Sequence, residues 1–269
     1  MVKEIHLISK FVEIDDKINA KKLLSKKKGR KGLHASELAC IFLMQKSFGY
    51  KVFKEYYKSE SAFLKTMFPK IPKYKALLKH KEEANKILLI YLENKSFHKG
   101  DYYIDSTPLP VCKLIRSTKH KVLSEHSSFG YSSTGTFFGM KLHIVTTSSK
   151  ELVSFAISKG NQHDIHFIDP LTSDLKGRIA ADKGYLSNEK KENLFSRGLC
   201  LITKRRKNMQ KQFLSAADAA LLRSRPKIEN VIRKIKHFLG AGLSFARSYI
   251  GALSEIITSL AAYKASSSF

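Results

Sequence analysis

The stretch "YYIDSTPLPVCKL" (102–114) constrains the fold more than any other. Pro108 and Pro110 cannot lie inside a helix, because proline has no amide donor and its ring clashes with the preceding turn. The aromatic and β-branched residues before them suit a strand. Upstream the pattern is helical. "SELACIFLMQKSFGYKVFKEYY" (36–57) places Leu38, Ile41, Phe42 and Phe48 at helical spacing, with Ser36 as the expected N-cap and Gly49 as a break. "KHKEEANKILLIYLENK" (79–95) reads as an amphipathic helix, and "FPKIPK" (68–73) as a loop. The change of pattern near Gly100 predicts an all-helical domain over 1–97 and an α/β domain over 98–265.

Within the second part, "SFGYSSTGTFFG" (128–139) has the Ser/Thr/Gly composition of a loop. "MKLHIVTTS" (140–148) alternates as a strand, with "ELVSFAIS" (151–158) as its hairpin partner. A short helix is expected near "DIHFIDPLTSDL" (164–175). The strand "RIAAD", the helix "NEKKENLFSRG" (188–198) and the strand "LCLITK" (199–204) follow. A last helix carries Ile228, Val231, Ile232, Ile235, Phe238 and Leu239 on one face, with Pro226 in its first turn. Strands first paired and then alternating with helices predict a mixed sheet flanked by helices.

Charge narrows the partner. Lys and Arg number 49 against 23 Asp and Glu, a net charge of +26. A single-sign field of that size attracts polyanions, above all nucleic acid. The basic segment "KKLLSKKKGRKG" (21–32) reads equally as a solvated linker or a DNA-contacting arm. The three cysteines, Cys40, Cys112 and Cys200, form no CxxC pair, which argues against a zinc framework and suits a reducing cytoplasm. The apolar run "ILLIYL" (87–92) is far short of the ~20 residues of a membrane helix, and Glu255 interrupts "YIGALSEIITSLAAY". A soluble, cytoplasmic protein with no membrane partner is expected.

Three acids are candidates for chemistry. Asp105 is expected to end the strand "YYID" and Asp182 to end "RIAAD", while Glu229 lies on the last helix. Arg225, Glu229, Arg233 and Lys236 form one stripe of that helix. Carboxylates held on rigid elements can bind two Mg²⁺ ions, which clamp an in-line phosphoryl displacement. Each acid also has a plainer reading: Asp105 and Asp182 as turn residues, and Glu229 in surface pairs with Arg225 or Arg233. His143, on an alternating strand, is expected to be packed rather than a ligand. Asp164 is expected to cap the next helix.

The motifs "IDSTPLPVC", "FFGMKLH", "GNQHD", "DKGY", "LITKRRKNM" and "RPKIENVIRKIK", in this order, resemble a bacterial DDE-type transposase of the insertion-sequence 982 family. The resemblance implies a ribonuclease-H-like core whose catalytic and metal-binding triad is Asp105, Asp182 and Glu229, with two Mg²⁺ ions or, alternatively, Mn²⁺. Arg225 and Lys236 fit the Arg and Lys of the family signature, while its Tyr place is Leu222. The expected DNA contacts are Arg225, Arg233, Lys236 and the run Lys204, Arg205, Arg206, Lys207. Gly184 is expected to let the chain leave the site tightly, and Tyr185 to pack or touch DNA. The partner is double-stranded DNA, bound by a homodimer, with the helical domain recognising the element's ends. The reaction implied is strand cleavage by water, then strand transfer by the freed 3′-OH. The alternatives are a non-enzymatic nucleic-acid binder and a decayed transposase copy.

Overall fold

The computed structural model describes residues 2–21, 32–93, 99–133, 135–204, 214–242 and 246–267. Helices α1 (Val2–Ala20), α2 (Ala35–Ser47), α3 (Phe53–Ser59), α4 (Ser61–Met67), α5 (Tyr74–Leu78) and α6 (Lys81–Leu92) come first. Strands β1 (Lys99–Pro110), β2 (Ser128–Ser132), β3 (Gly135–Thr147) and β4 (Leu152–Lys159) follow. Then come α7 (Ile168–Leu171), β5 (Lys176–Ala181), α8 (Asn188–Ser196), β6 (Leu199–Thr203), α9 (Ala216–Ser224) and α10 (Pro226–Arg233). A π-helical turn (Lys234–Phe238) and α11 (Tyr249–Ser267) end the chain. The basic segment 22–31 lies outside the described residues.

Two compact units result, one of residues 1–93 with 234–269, the other of 94–233. This grouping differs from the expected boundary at 265. Helix α11 packs on α6 and α2, not within the α/β unit. The reason is its composition: Ala252, Ile256, Ile257, Leu260, Ala261 and Tyr263 are all buried, so it must be covered on most sides. Helix α2 is the same, buried continuously from Leu38 to Lys46. Its N-terminus also departs from expectation. The helix starts at Ala35, and the His34 amide donates to Glu37 Oε2 at 2.6 Å. Ser36 instead donates its hydroxyl to Asp15.

Glu255 has a structural explanation. Lys46, whose side chain is 1% exposed, places Nζ 2.5 Å from Glu255 Oε2. It also donates to the Lys51 carbonyl at 3.3 Å. A charge inside a helical core is tolerable only when paired in this way.

The α/β unit is built on one sheet with strand order β2-β3-β1-β5-β6, and β4 also pairs β3. β3 runs antiparallel to β1, while β5 and β6 run parallel to it and to each other, so the sheet is mixed. Alternation divides its faces. Tyr102, Ile104, Ile179 and Ala181 join one core cluster with Leu194 of α8. Tyr103 and Ala180 join the other, with Leu221 and Leu222 of α9 and Ile228 of α10. Phe238, expected on the apolar stripe, is 69% exposed, because the π-helical turn there shifts the spacing.

Within 128–139, expected as a loop, Ser128–Ser132 form β2 and 135–139 begin β3. Their Ser and Gly content hides an alternation of Phe129, Tyr131 and Phe137. Gly130 answers a packing need: a Cβ there would lie 2.3 Å from the Gly160 carbonyl oxygen.

The two prolines fit the sheet for a reason of parity. The Val111 amide donates to the Phe138 carbonyl on β3. Odd-numbered residues of β1 therefore turn their amides toward β3, and the nitrogens of Pro108 and Pro110 face the other side. There β5 has already ended, its last pairs being Tyr102–Ile179 and Tyr103–Ala180. No ladder donor is lost.

Replacing Lys46 by Met should destabilise the protein by about 3 kcal/mol, because Glu255 is left as an unpaired charge. Adding Glu255→Leu should recover most of that loss. Denaturant midpoints of the two variants check both.

Candidate active site

The parallel ladder of β1 and β5 aligns each residue with one 77 positions later, as in Tyr103 opposite Ala180. Two residues beyond that pair are Asp105 and Asp182. Both share the parity of Tyr103 and Ala180, so both belong to the face covered by α9 and α10. Pro226 opens α10 at its first position, and Ile228 and Val231 anchor it. Glu229, between those anchors, turns outward and is 59% exposed.

Arg225 ties the three elements together. Its Nη2 lies 2.9 Å from Asp105 Oδ2, and its Nη1 lies 3.2 Å from Glu229 Oε1. Asp105 Oδ1 accepts from the Ser106 amide at 2.9 Å. Burial pushes the Asp105 carboxyl up to about 6; Arg225 and the Ser106 amide oppose this, while Asp182 and Glu229 add to it. Three carboxylates thus share one electrostatic neighbourhood, and Arg225 offsets only part of the cost of burying Asp105.

Such a donor set suits a divalent cation. It offers hard oxygens, and it sets three acids against one guanidinium. As drawn, no three His, Cys, Asp or Glu among the described residues converge closely enough to hold a metal ion. Two of the acids are engaged with Arg225 instead. The residues fit the ion in chemistry.

The other expected residues are dispersed. Lys204 is exposed just past β6, and Arg205, Arg206 and Lys207 lie outside the described residues. Arg233 is exposed and donates to Asn230 Oδ1 at 2.9 Å. Lys236 belongs to the π-helical turn of the helical unit, where burial lowers its pKa. Leu222, at the signature's Tyr place, is buried beside Tyr103 and Ile228. Tyr185 is a core residue, 1% exposed, whose hydroxyl has no hydrogen-bond partner among the described residues. Gly184 meets no steric need: a Cβ there would approach nothing nearer than Asp164 Oδ2 at 4.0 Å. A tight glycine of β5 is Gly177, with φ +107° and a Cβ position 2.2 Å from the Gly100 carbonyl oxygen.

Asp164 does not cap the helical turn it begins. It pairs with Lys141 Nζ at 3.1 Å. His143 is fully buried, stacked on Phe167 at 4.0 Å and bonded through Nε2 to Ser158 Oγ at 2.8 Å. One arrangement was missed. Arg178 holds Asp101 through two bonds of 2.8 and 2.7 Å and reaches Asp218 of α9 at 3.3 Å. Asp101 and Arg178 are register partners, and that charge pairing was the available signal.

The sequence model of the transposase DDE domain family matches residues 95–247, more than half of the chain. The chain belongs to the transposase DDE domain family. As a transposase it is an enzyme of DNA transposition, and DNA is its partner. Among curated proteins none matches this transposase. Among solved structures it is similar to a piggyBac transposase, determined as a synaptic complex with hairpin DNA. The two share 10% identity over 96% of this chain and 71% of that one, with a TM-score of 0.49.

Burial pushes the pKa of His143 down to about 4 from 6.5, with Asp164 opposing and Lys141 reinforcing. Below pH 6.5 the unfolded chain therefore binds a proton that the folded transposase refuses. Stability from the neutral ring is intact above that pH and falls as pH drops toward 4. The loss should be on the order of 3 kcal/mol. His143→Asn should flatten this fall in denaturant midpoints measured between pH 7 and 4.

Proposed function

We propose that the α/β unit is a ribonuclease-H-like DDE core of the insertion-sequence 982 type, in which Asp105, Asp182 and Glu229 hold two divalent cations. The observation that carries this reading is the register of β1 and β5, which brings Asp105 and Asp182 side by side on the face that α10 covers. Bound there, Mg²⁺ or Mn²⁺ ions would supply the charge for in-line displacement at a DNA phosphate, first by water and then by a freed 3′-OH.

The chain's own residues have distinct tasks. Asp105 is held rigid in mid-strand between Ser106 and Arg225. Asp182, exposed at the end of β5, meets incoming DNA first. Glu229 sits on a helix and can turn inward once Arg225 releases it. Arg225 then offers its planar guanidinium to a phosphate, in the bidentate geometry that arginine favours. Arg233, Lys236 and the run 204–207 bind the DNA backbone, consistent with the net charge of +26. The helical unit recognises the element's ends, and two copies pair two ends in a bacterial cytoplasm.

Leu222 bears on whether this copy is active. It fills core beside Tyr103 and Ile228, so the departure from the signature keeps the packing beneath the carboxylates, as an active enzyme requires.

With labelled DNA carrying the flanks of its own gene, wild type should nick in Mg²⁺ or Mn²⁺ and not in EDTA. Asp182→Asn should lower nicking by about 100-fold or more, as loss of several kcal/mol of transition-state stabilisation requires. Its DNA affinity should be retained. Equal nicking by both proteins would refute the assignment, and tight binding without nicking by wild type would favour a pure binder.

A further inference from the structure

Strand β2 carries two large rings into solvent. Phe129 is 53% exposed and Tyr131 is 79% exposed. Phe129 lies opposite Phe138 on β3, and Tyr131 opposite Thr136. Counting by twos along β3 from Phe138 reaches Ile144, which lies opposite Asp105. The two rings therefore belong to the same sheet face as the candidate carboxylates. Their orientation is not free. The opposite face of β2 is closed at Gly130, where even a Cβ would strike the Gly160 carbonyl.

Cations border these rings. The segment after β1 exposes Lys113, Arg116, Lys119 and Lys121, and none of them has an ion-pair partner among the described residues. Glu125 is the one acid between 111 and 133. His120, in the same segment, sets its ring edge against Phe138 at 6.4 Å, and Phe138 meets Phe129 at 5.0 Å. The basic segment and the rings thus meet at one buried ring, Phe138, beneath the surface they share. It begins where β1 ends, at Pro110, five residues past Asp105 and about 17 Å further along the strand.

We propose that this surface binds an unpaired stretch of DNA, with bases stacked on Phe129 and Tyr131 and phosphates on the four cations. The inference rests on the reading of Asp105 and Asp182 as the cleavage centre only for its location. Rings spaced along a strand and bordered by unpaired cations match a single strand, whose base faces are open. A duplex hides those faces within its own stack, so it would use the cations and leave the rings in water. An apolar protein partner would leave the cations uncompensated. A strand end released at the carboxylates would have about five nucleotides of reach to this platform, at the ~3.4 Å rise per stacked base of DNA.

The test is fluorescence anisotropy with a labelled oligothymidine and with a duplex of equal length, in EDTA so that metal chemistry plays no part. Tyr131→Ala and the double variant Phe129→Ala/Tyr131→Ala should weaken single-strand binding about 10-fold or more while leaving duplex affinity within about 2-fold. Tyr131→Trp should restore it. Neutralising Lys119 and Lys121 should weaken both ligands and reduce the salt slope. Equal single-strand affinity in wild type and both Ala variants would overturn the proposal. So would an equal loss for duplex, or competition by polyglutamate as strong as by oligothymidine. The two readings fail separately: if nicking proves independent of Asp182 while the ring variants still lose single-strand binding, the cleavage reading fails and the platform stands.

Discussion

Strand β1 has partners on both sides only as far as Tyr103. Beyond that point β5 has ended and β3 alone continues beside it. Much of the α/β unit follows from this half-open strand. It lets Pro108 and Pro110 sit in a strand without costing a ladder bond. It leaves Asp105, in mid-strand, next to Asp182, just past the carboxyl end of β5, where the sheet opens. It also gives α9 and α10 a face to cover, through Leu221, Leu222 and Ile228. In a sheet continuing past the carboxylates on both sides, the ladder would fill the space a substrate needs.

Electrostatics then decides how the acids can coexist. A protein of net charge +26 places a cluster of carboxylates against one arginine. Asp105 is disfavoured as an anion by burial first and by its acidic neighbours second, and Arg225 only partly offsets this. The cluster is therefore short of positive charge in the very place where a phosphate ester, itself anionic, must come to react. A divalent cation bound there would resolve both conflicts, and the long-range field of the surrounding lysines and arginines would bring the DNA. Arg178, farther down the same face, is structural: it joins β5, β1 and α9 through Asp101 and Asp218.

Much of the fold was legible because its signals are local. Strand alternation in 140–148 and the proline pair of β1 are read directly from neighbouring residues. What was hidden depends on distant partners. Glu255 looks like an interruption until Lys46, 209 residues away, is known to meet it. α11 looks like a continuation of the α/β domain until its all-round burial against α6 and α2 is seen. β2 was masked by Ser and Gly, one of which, Gly130, is required by close packing on Gly160. In the site, Arg225 and Glu229 are four residues apart and their pairing was readable. That the same guanidinium also binds Asp105 was not, because it depends on how α10 lies on β1. The apparent roles of Gly184 and Asp164 failed for the converse reason: turn-like composition suggested local tasks, and Asp164 found its partner in Lys141 across the sheet.

The central claim is that Asp105, Asp182 and Glu229 bind a divalent cation in competition with Arg225. Titration of Mn²⁺ into the DNA-free protein, followed by electron paramagnetic resonance, tests it directly. The account predicts saturable binding in wild type, loss of that binding in Asp105→Asn and Asp182→Asn, and tighter binding in Arg225→Gln. Mn²⁺ binding that is the same in all four proteins would contradict it.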